Sequence, residues 1–254
     1  MGTGASALLP IVRDGFLIQV GAWAIAASLQ TEKFYDLTGS LTFIYLTTKS
    51  FLSQPNQLTR NKVNSGLVLL WAGRLGSFLF ARVMRDGKDR RFDKADEPLI
   101  ARKMRRSPVQ IINTDPVGKD GNADDSITSL DMAAWALWGA AFLVQVTADR
   151  QKTAFRAVEA NKDKFITSGV WAYSQHPNYA AEMVMWSSLW LSCSSQMQGA
   201  QLASFLCPLF NMYLLRYVSG VPLLQKHAKK AWGNNPAWVK YTAETPLLFP
   251  VVGP

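Results

Sequence analysis

Residues 168–182 of the chain read SGVWAYSQHPNYAAE and stand directly before a long apolar segment. The stretch combines His176, Asn178 and Glu182 with a tryptophan and two tyrosines. Unpaired polar groups are costly in hydrocarbon, so such a cluster at the mouth of a membrane helix requires a compensating interaction. These residue types favour a bound polar ligand. Pro177 keeps the preceding residue out of a helix, which predicts a shaped turn at His176.

Apolar residues in the rest of the chain are concentrated in blocks of about 20 residues, the length at which a helix spans a bilayer. The six blocks are residues 8–29, 36–53, 64–84, 130–149, 181–198 and 200–220. They predict an all-α fold, a polytopic membrane helical bundle of about six transmembrane helices. We expect one integral membrane domain over residues 1–254, with a polar loop insertion at 85–129 and a polar C-terminal tail at 221–254.

The formal net charge of the chain is +9. Basic residues flank the apolar blocks, as expected for contact with anionic headgroups and for the excess of positive charge on cytoplasmic loops. We therefore expect membrane lipids as partners and no nucleic acid. Charge does not decide the topology, because an extra crossing between residues 98 and 130 would change the side on which the basic segments lie. Cys193 and Cys207 show no metal-ligand spacing, so no metal site is expected.

A second polar cluster stands at the end of the fourth apolar block. Asp149 and Arg156 are seven residues apart and would share one face of a continuing helix. Arg156 could bind a phosphate, and Asp149 an amide or a ribose hydroxyl. The alternative is an ordinary charge cluster where a helix leaves the bilayer. Arg74 lies in the middle of the third block, where a cation requires a partner such as Asp14 or faces a polar pocket.

The motifs together resemble the steroid 5-alpha-reductase-like membrane family, in its DUF1295 branch. The resemblance begins with the pattern Gly-x-Trp-x-Tyr-Ser-x-His-Pro-Asn-Tyr-x-x-Glu at 169–182 and covers about residues 30–250. The other matching segments, in chain order, are 71–76, 85–92, 148–152, 219–224 and 232–236. Members of this family are bundles of membrane helices that use NADPH to reduce a carbon–carbon double bond conjugated to a carbonyl.

The resemblance implies an NADPH-dependent reductase of a lipid or sterol-like enone. The residues that would form the NADPH site are Asp149, Arg156, Trp171, Tyr173, His176, Asn178, Tyr179 and Glu182. An arginine suits phosphates, aromatic rings pack against flat rings, and Asn and Glu can fix amide and ribose groups. Neither the sequence nor the resemblance indicates which residue donates the proton. The protein would lie in the membrane of the endoplasmic reticulum or of a mitochondrion or plastid.

Four positions depart from the family pattern. The chain has Gln145 and Gln225 where acids are usual, Gln175 where an arginine is usual, and Ala181 where a glycine is usual. Loss of the arginine at 175 would remove a phosphate contact. In addition, the polar segment 102–129 replaces an apolar span. These departures favour an alternative, a relative that has lost catalysis and NADPH and serves as an accessory subunit among neighbouring subunits of a membrane complex. An S-adenosylmethionine-dependent membrane methyltransferase is a further alternative, because such enzymes share the His-Pro-x-Tyr motif.

Overall fold

The computed structural model describes residues 3–28, 35–53, 58–86 and 125–250. These residues form helices and connecting turns and contain no strand, which confirms the predicted all-α class. The predicted loop insertion at 85–129 falls largely on residues 87–124, which lie outside the described residues. The chain divides into two compact units.

The first unit comprises residues 1–127 and 196–204. Its long helices are α1 (Thr3–Ser28), α2 (Tyr35–Leu52) and α3 (Thr59–Asp86), and α2 packs against both of the others. Helices α2 and α3 approach closely at Gly76, where an added Cβ would come within 2.5 Å of the Cβ of Ser40. Small residues at a helix contact permit this approach, which brings more of the two surfaces into van der Waals contact.

Polar contacts also join α1 to α2. Asp14 accepts hydrogen bonds from Lys49 and, at 3.0 Å, from Arg13. The side-chain amide of Gln19 donates to the hydroxyl of Thr42 at 2.9 Å. An acid and its partners on facing helices satisfy one another, which is the condition for placing charges between apolar helices.

The second unit comprises residues 128–195 and 205–254. Its longest helices, α4 (Ser129–Ala157) and α5 (Pro177–Ser194), pack along one another. A capping box starts α4: Thr128 accepts from the N–H of Asp131 and donates its own N–H to the Asp131 carboxylate. Pro177 occupies the first turn of α5, where a missing N–H costs nothing. The predicted turn at His176 is therefore the start of a helix.

The C-terminal part of the chain is more segmented than the sequence predicts. Instead of one span over 200–220, a 3₁₀-helix (Gly199–Phe205) leads into α6 (Leu206–Tyr213) and a π-helix (Leu214–Val218). The predicted polar tail contains two further helices, α7 (Val221–Trp232) and α8 (Pro236–Glu244).

Two helices among the described residues are long and apolar enough to cross a membrane, Thr59–Met84 and Ser129–Ala157, with mean hydropathies of 1.5 and 1.3. Only 22% and 28% of their apolar windows are buried within the protein. The core helix of a soluble protein would be mostly buried, so the exposed apolar surface supports contact with lipid. Two spans are fewer than the six that the apolar blocks predict.

Candidate functional site

The polar stretch before α5 begins as a tight turn fixed to α4. Gly169 has a φ of 64°, in the left-handed region that glycine adopts without strain. The backbone N–H of Val170, the residue after Gly169, donates to the side-chain oxygen of Gln151 on α4 at 3.0 Å. Trp171 is 3% exposed and donates its indole N–H to the carbonyl of Ala148 at 3.1 Å. Trp171 therefore anchors the turn to α4 through its indole ring.

His176 occupies the N-cap position of α5, where its side chain makes no capping hydrogen bond, and it is 6% exposed. Its Nε2 lies 3.3 Å from the amide nitrogen of Gln225, which also donates to the side-chain oxygen of Gln175 at 2.8 Å. An amide nitrogen only donates, so Nε2 is the acceptor and the proton of the neutral ring is on Nδ1. Nδ1 is buried and has no hydrogen-bond partner among the described residues. His176 thus presents an unused N–H donor.

Asn178 presents the complementary group two residues further on. Its amide nitrogen lies 3.5 Å from a carboxylate oxygen of Asp149, which is 7% exposed on α4. The amide oxygen of Asn178 is buried and has no partner within the described part of the chain. An unpaired buried donor or acceptor costs about 1–3 kcal/mol, and a ligand that pairs with it recovers that cost. The turn into α5 therefore offers one donor and one acceptor to a ligand.

The site holds His176 in its neutral form. Burial, with a smaller contribution from the positive charges of Lys152 and Arg216, lowers the pKa of His176 to about 3. Lys152 projects from α4 and lies 4.6 Å from the centre of the Trp171 ring. Arg216 belongs to the π-helix Leu214–Val218, a rare element that is frequent at functional sites. Two cations from different elements therefore act on the buried imidazole.

Further along α5, two more side chains of the stretch face this region. The side-chain amide of Gln145 on α4 donates to the carboxylate of Glu182 at 3.3 Å. The ring of Tyr179 stacks on that of His176, with 5.9 Å between ring centres. Glu182 thus faces α4 one helical turn after Asn178, whereas Tyr179 packs against the cluster of Ala180, Met183, Val221 and Leu248.

Two of the predicted site residues lie at the surface. Tyr173 is 69% exposed, and Arg156 is exposed in the last turn of α4. Arg156 lies two helical turns beyond Asp149 on the same continuous helix, a rise of about 10 Å at 1.5 Å per residue. The structure therefore brings six predicted residues together, namely Asp149, Trp171, His176, Asn178, Tyr179 and Glu182. Arg156 lies at the edge of this group, and Tyr173 is directed to its exterior.

Two of the departures from the family pattern contact one another. The side chain of Gln175 is 8% exposed and donates to the carbonyls of Thr242 and Thr245 at 3.2 and 2.6 Å. Its side-chain oxygen accepts from Gln225. Position 175 thus binds the C-terminal segment, and no phosphate need contact it. A neutral amide pair therefore occupies the two positions at which the resemblance predicts an arginine and an acid.

The sequence of the chain matches one known protein family over most of its length. The family described as "Protein of unknown function (DUF1295)" matches residues 22–245. The chain belongs to the DUF1295 family. No curated protein and no solved structure matches it. The match covers both units and every residue of the site, so the site belongs to the part of the chain that defines the family.

In this DUF1295 protein, two cations that the sequence did not single out, Lys152 and Arg216, help to lower the pKa of His176. Arg216 is detectable afterwards as the lone cation in the apolar block 200–220. The described residues contain no group of His, Cys, Asp or Glu side chains placed to hold a metal ion. Cys193 and Cys207 are both buried, free thiols.

Proposed function

We propose that this DUF1295 protein is a membrane reductase that uses NADPH to reduce a lipid or sterol-like enone. The observation that supports it most strongly is the pair of unsatisfied buried atoms, Nδ1–H of His176 and Oδ1 of Asn178. A carboxamide has one acceptor oxygen and a donor NH₂, so it complements this pair. The nicotinamide ring of NADPH carries such a group.

The surrounding residues supply the other contacts that a dinucleotide requires. Asp149 and Glu182 are acceptors for ribose hydroxyl groups. Lys152, Arg216 and Arg156 are cations suited to phosphates, and the neutral His176 adds no competing charge. NADPH, when bound, supplies a hydride for a carbon–carbon double bond conjugated to a carbonyl. His176 and Asn178 would bind the carboxamide and so orient the nicotinamide ring.

Membrane location is part of the proposal. The exposed apolar surfaces of Thr59–Met84 and Ser129–Ala157 support it, and the apolar blocks 8–29, 36–53 and 181–198 would supply further spans of a polytopic bundle. A substrate dissolved in lipid would reach the site from within the bilayer. The organelle would be the endoplasmic reticulum or an energy-transducing organelle.

Binding of NADPH to the purified full-length protein tests the proposal. Asn178→Ala should weaken NADPH binding about tenfold, because it removes an acceptor in a buried site where one hydrogen bond contributes about 1–1.5 kcal/mol. Asn234→Ala, in the exposed turn between α7 and α8, is the matched control and should leave the affinity unchanged. Arg156→Ala should also weaken binding, whereas Arg150→Ala, exposed on the same helix, should not.

Activity is measured as enone-dependent oxidation of NADPH in the presence of steroid or lipid enones. Absence of NADPH binding at millimolar concentration would refute the reductase. Binding of S-adenosylmethionine instead would indicate the methyltransferase. Binding of neither cofactor, together with copurification of membrane-complex subunits, would indicate the accessory role.

A further inference from the structure

A groove of about 360 Å³ lies between α7 and α8, within the second unit. Its walls include Lys226 and Lys229 from α7, and Trp238, Val239 and Thr242 from α8. We propose that this groove binds the phosphate of an anionic phospholipid headgroup, a site separate from the proposed cofactor site.

The groove is electropositive. Lys226 and Lys229 are one helical turn apart and exposed, and neither forms an ion pair with a carboxylate in the part of the chain that the structure describes. Helix α7 carries a third lysine, Lys230, and has no acidic residue. Glu244, the acid of α8, lies 3.9 Å from Lys240. Two ammonium groups directed at one groove favour an anion.

Packed aromatic rings form one wall of the groove. The ring of Trp238 packs against Phe165, with 4.9 Å between ring centres, and against Trp232 and Tyr241 at 5.5 and 5.9 Å. Trp232 donates its indole N–H to the carbonyl of Asp163 at 2.7 Å. This aromatic cluster joins α7 to α8 along that wall of the groove.

The setting of the groove favours a lipid over free phosphate. Helix α7 is amphipathic: Val221 is buried while its lysines are exposed. Val239, which lines the groove, is 53% exposed and offers an apolar surface beside the ammonium groups. Tryptophans and lysines on an amphipathic helix are typical of the membrane interface, where headgroup phosphates lie. A phospholipid presents a phosphate and an apolar part together.

The test uses the full-length protein in phosphatidylcholine nanodiscs, with or without a minor fraction of phosphatidylglycerol. Retained lipid is counted by native mass spectrometry, and its affinity is obtained by titration. The double variant Lys226→Gln, Lys229→Gln should weaken phosphatidylglycerol binding about 25-fold, because each lysine near an anionic surface contributes on the order of a fivefold factor and the two factors multiply. The control Lys230→Gln, Lys240→Gln also removes two positive charges, one from α7 and one from α8, at positions that do not line the groove, and it should retain binding.

Three outcomes would overturn the proposal. Equal loss in both double variants would mean general surface attraction. Displacement of the lipid by inorganic phosphate at comparable concentration would mean a site for free phosphate. Displacement by NADPH would mean that the groove is part of the dinucleotide site, since Gln225 lines the groove and contacts His176. Both variants must unfold at the wild-type temperature in phosphatidylcholine alone. Absence of NADPH binding would leave this lipid test intact.

Discussion

Replacing His176 with asparagine tests the protonation state that the site imposes. The pKa of His176 is about 3 in the folded protein, against 6.5 for an unperturbed histidine, and burial is the main cause. The unfolded chain therefore binds this proton more tightly than the folded protein does. By linkage, the stability of the folded protein falls as the pH falls from about 6.5 toward about 3.

The size of the effect follows from the two pKa values. Between about pH 7 and about pH 5 the unfolded chain gains about 2 kcal/mol from protonating this histidine, and the folded protein gains almost nothing. For a chain of this size, about 2 kcal/mol corresponds to roughly 4–8 °C in Tm. His176→Asn keeps a polar side chain and removes the titration, so its Tm should decline less over this interval by that amount.

The assay is thermal unfolding in detergent across this pH range, with wild type and variant measured side by side. His227→Asn is the control, since His227 is exposed on α7 and the chain has two histidines in all. Its pH dependence should match that of the wild type. If the Tm of wild type and of His176→Asn fell by the same amount between the two pH values, the conclusion that His176 is buried and neutral would be wrong. The inference of an unused Nδ1–H donor would then fail as well.

Three further changes test the turn and its supports. Tyr241→Phe removes the hydroxyl that donates to the carbonyl of Trp171 at 2.7 Å, and it should lower the free energy of unfolding by about 1 kcal/mol in chemical denaturation. Gly169→Ala places a Cβ at a φ of 64° and within 2.5 Å of a glutamine side chain on α4, so it should cost at least about 1–2 kcal/mol, whereas an unchanged Tm would contradict the strained turn. Gln175→Arg should lower the free energy of unfolding by about 3–5 kcal/mol, as a buried cation without an acid, and Gln225→Glu should restore most of it. Additive effects in that double-mutant cycle would show that the two positions are not coupled.

The sequence predicts the helices best where a capped, apolar segment stands alone. The block 130–149 became α4 because Thr128 and Asp131 mark its start, and the block 64–84 became the body of α3. The block 200–220 was predicted poorly. Its composition is mainly apolar, but the block is divided into a 3₁₀-helix, α6 and a π-helix, and hydropathy does not record hydrogen-bond register.

The candidate site could be predicted as a set of residues but not as a geometry. Asp149, Asn178 and Glu182 were identified from a motif, and they lie together because α4 and α5 pack side by side. The anchoring role of Trp171 depends on where its indole N–H points, which composition does not specify. Gln175 and Gln225 are 50 positions apart in the chain, so composition could not predict the hydrogen bond between them either.

The backbone carbonyls that hold the turn before α5 also constrain when the site can form. The hydroxyl of Ser174 donates to the carbonyl of Leu248, 74 residues later, and the N–H of Gln175 donates to the carbonyl of Pro246 at 2.9 Å. During synthesis, α4 and α5 leave the ribosome long before these partners exist. The turn therefore cannot form these hydrogen bonds until residues 246–248 have been synthesised. A nascent protein stopped after Glu244 would contain every predicted ligand-binding side chain and still lack a finished site.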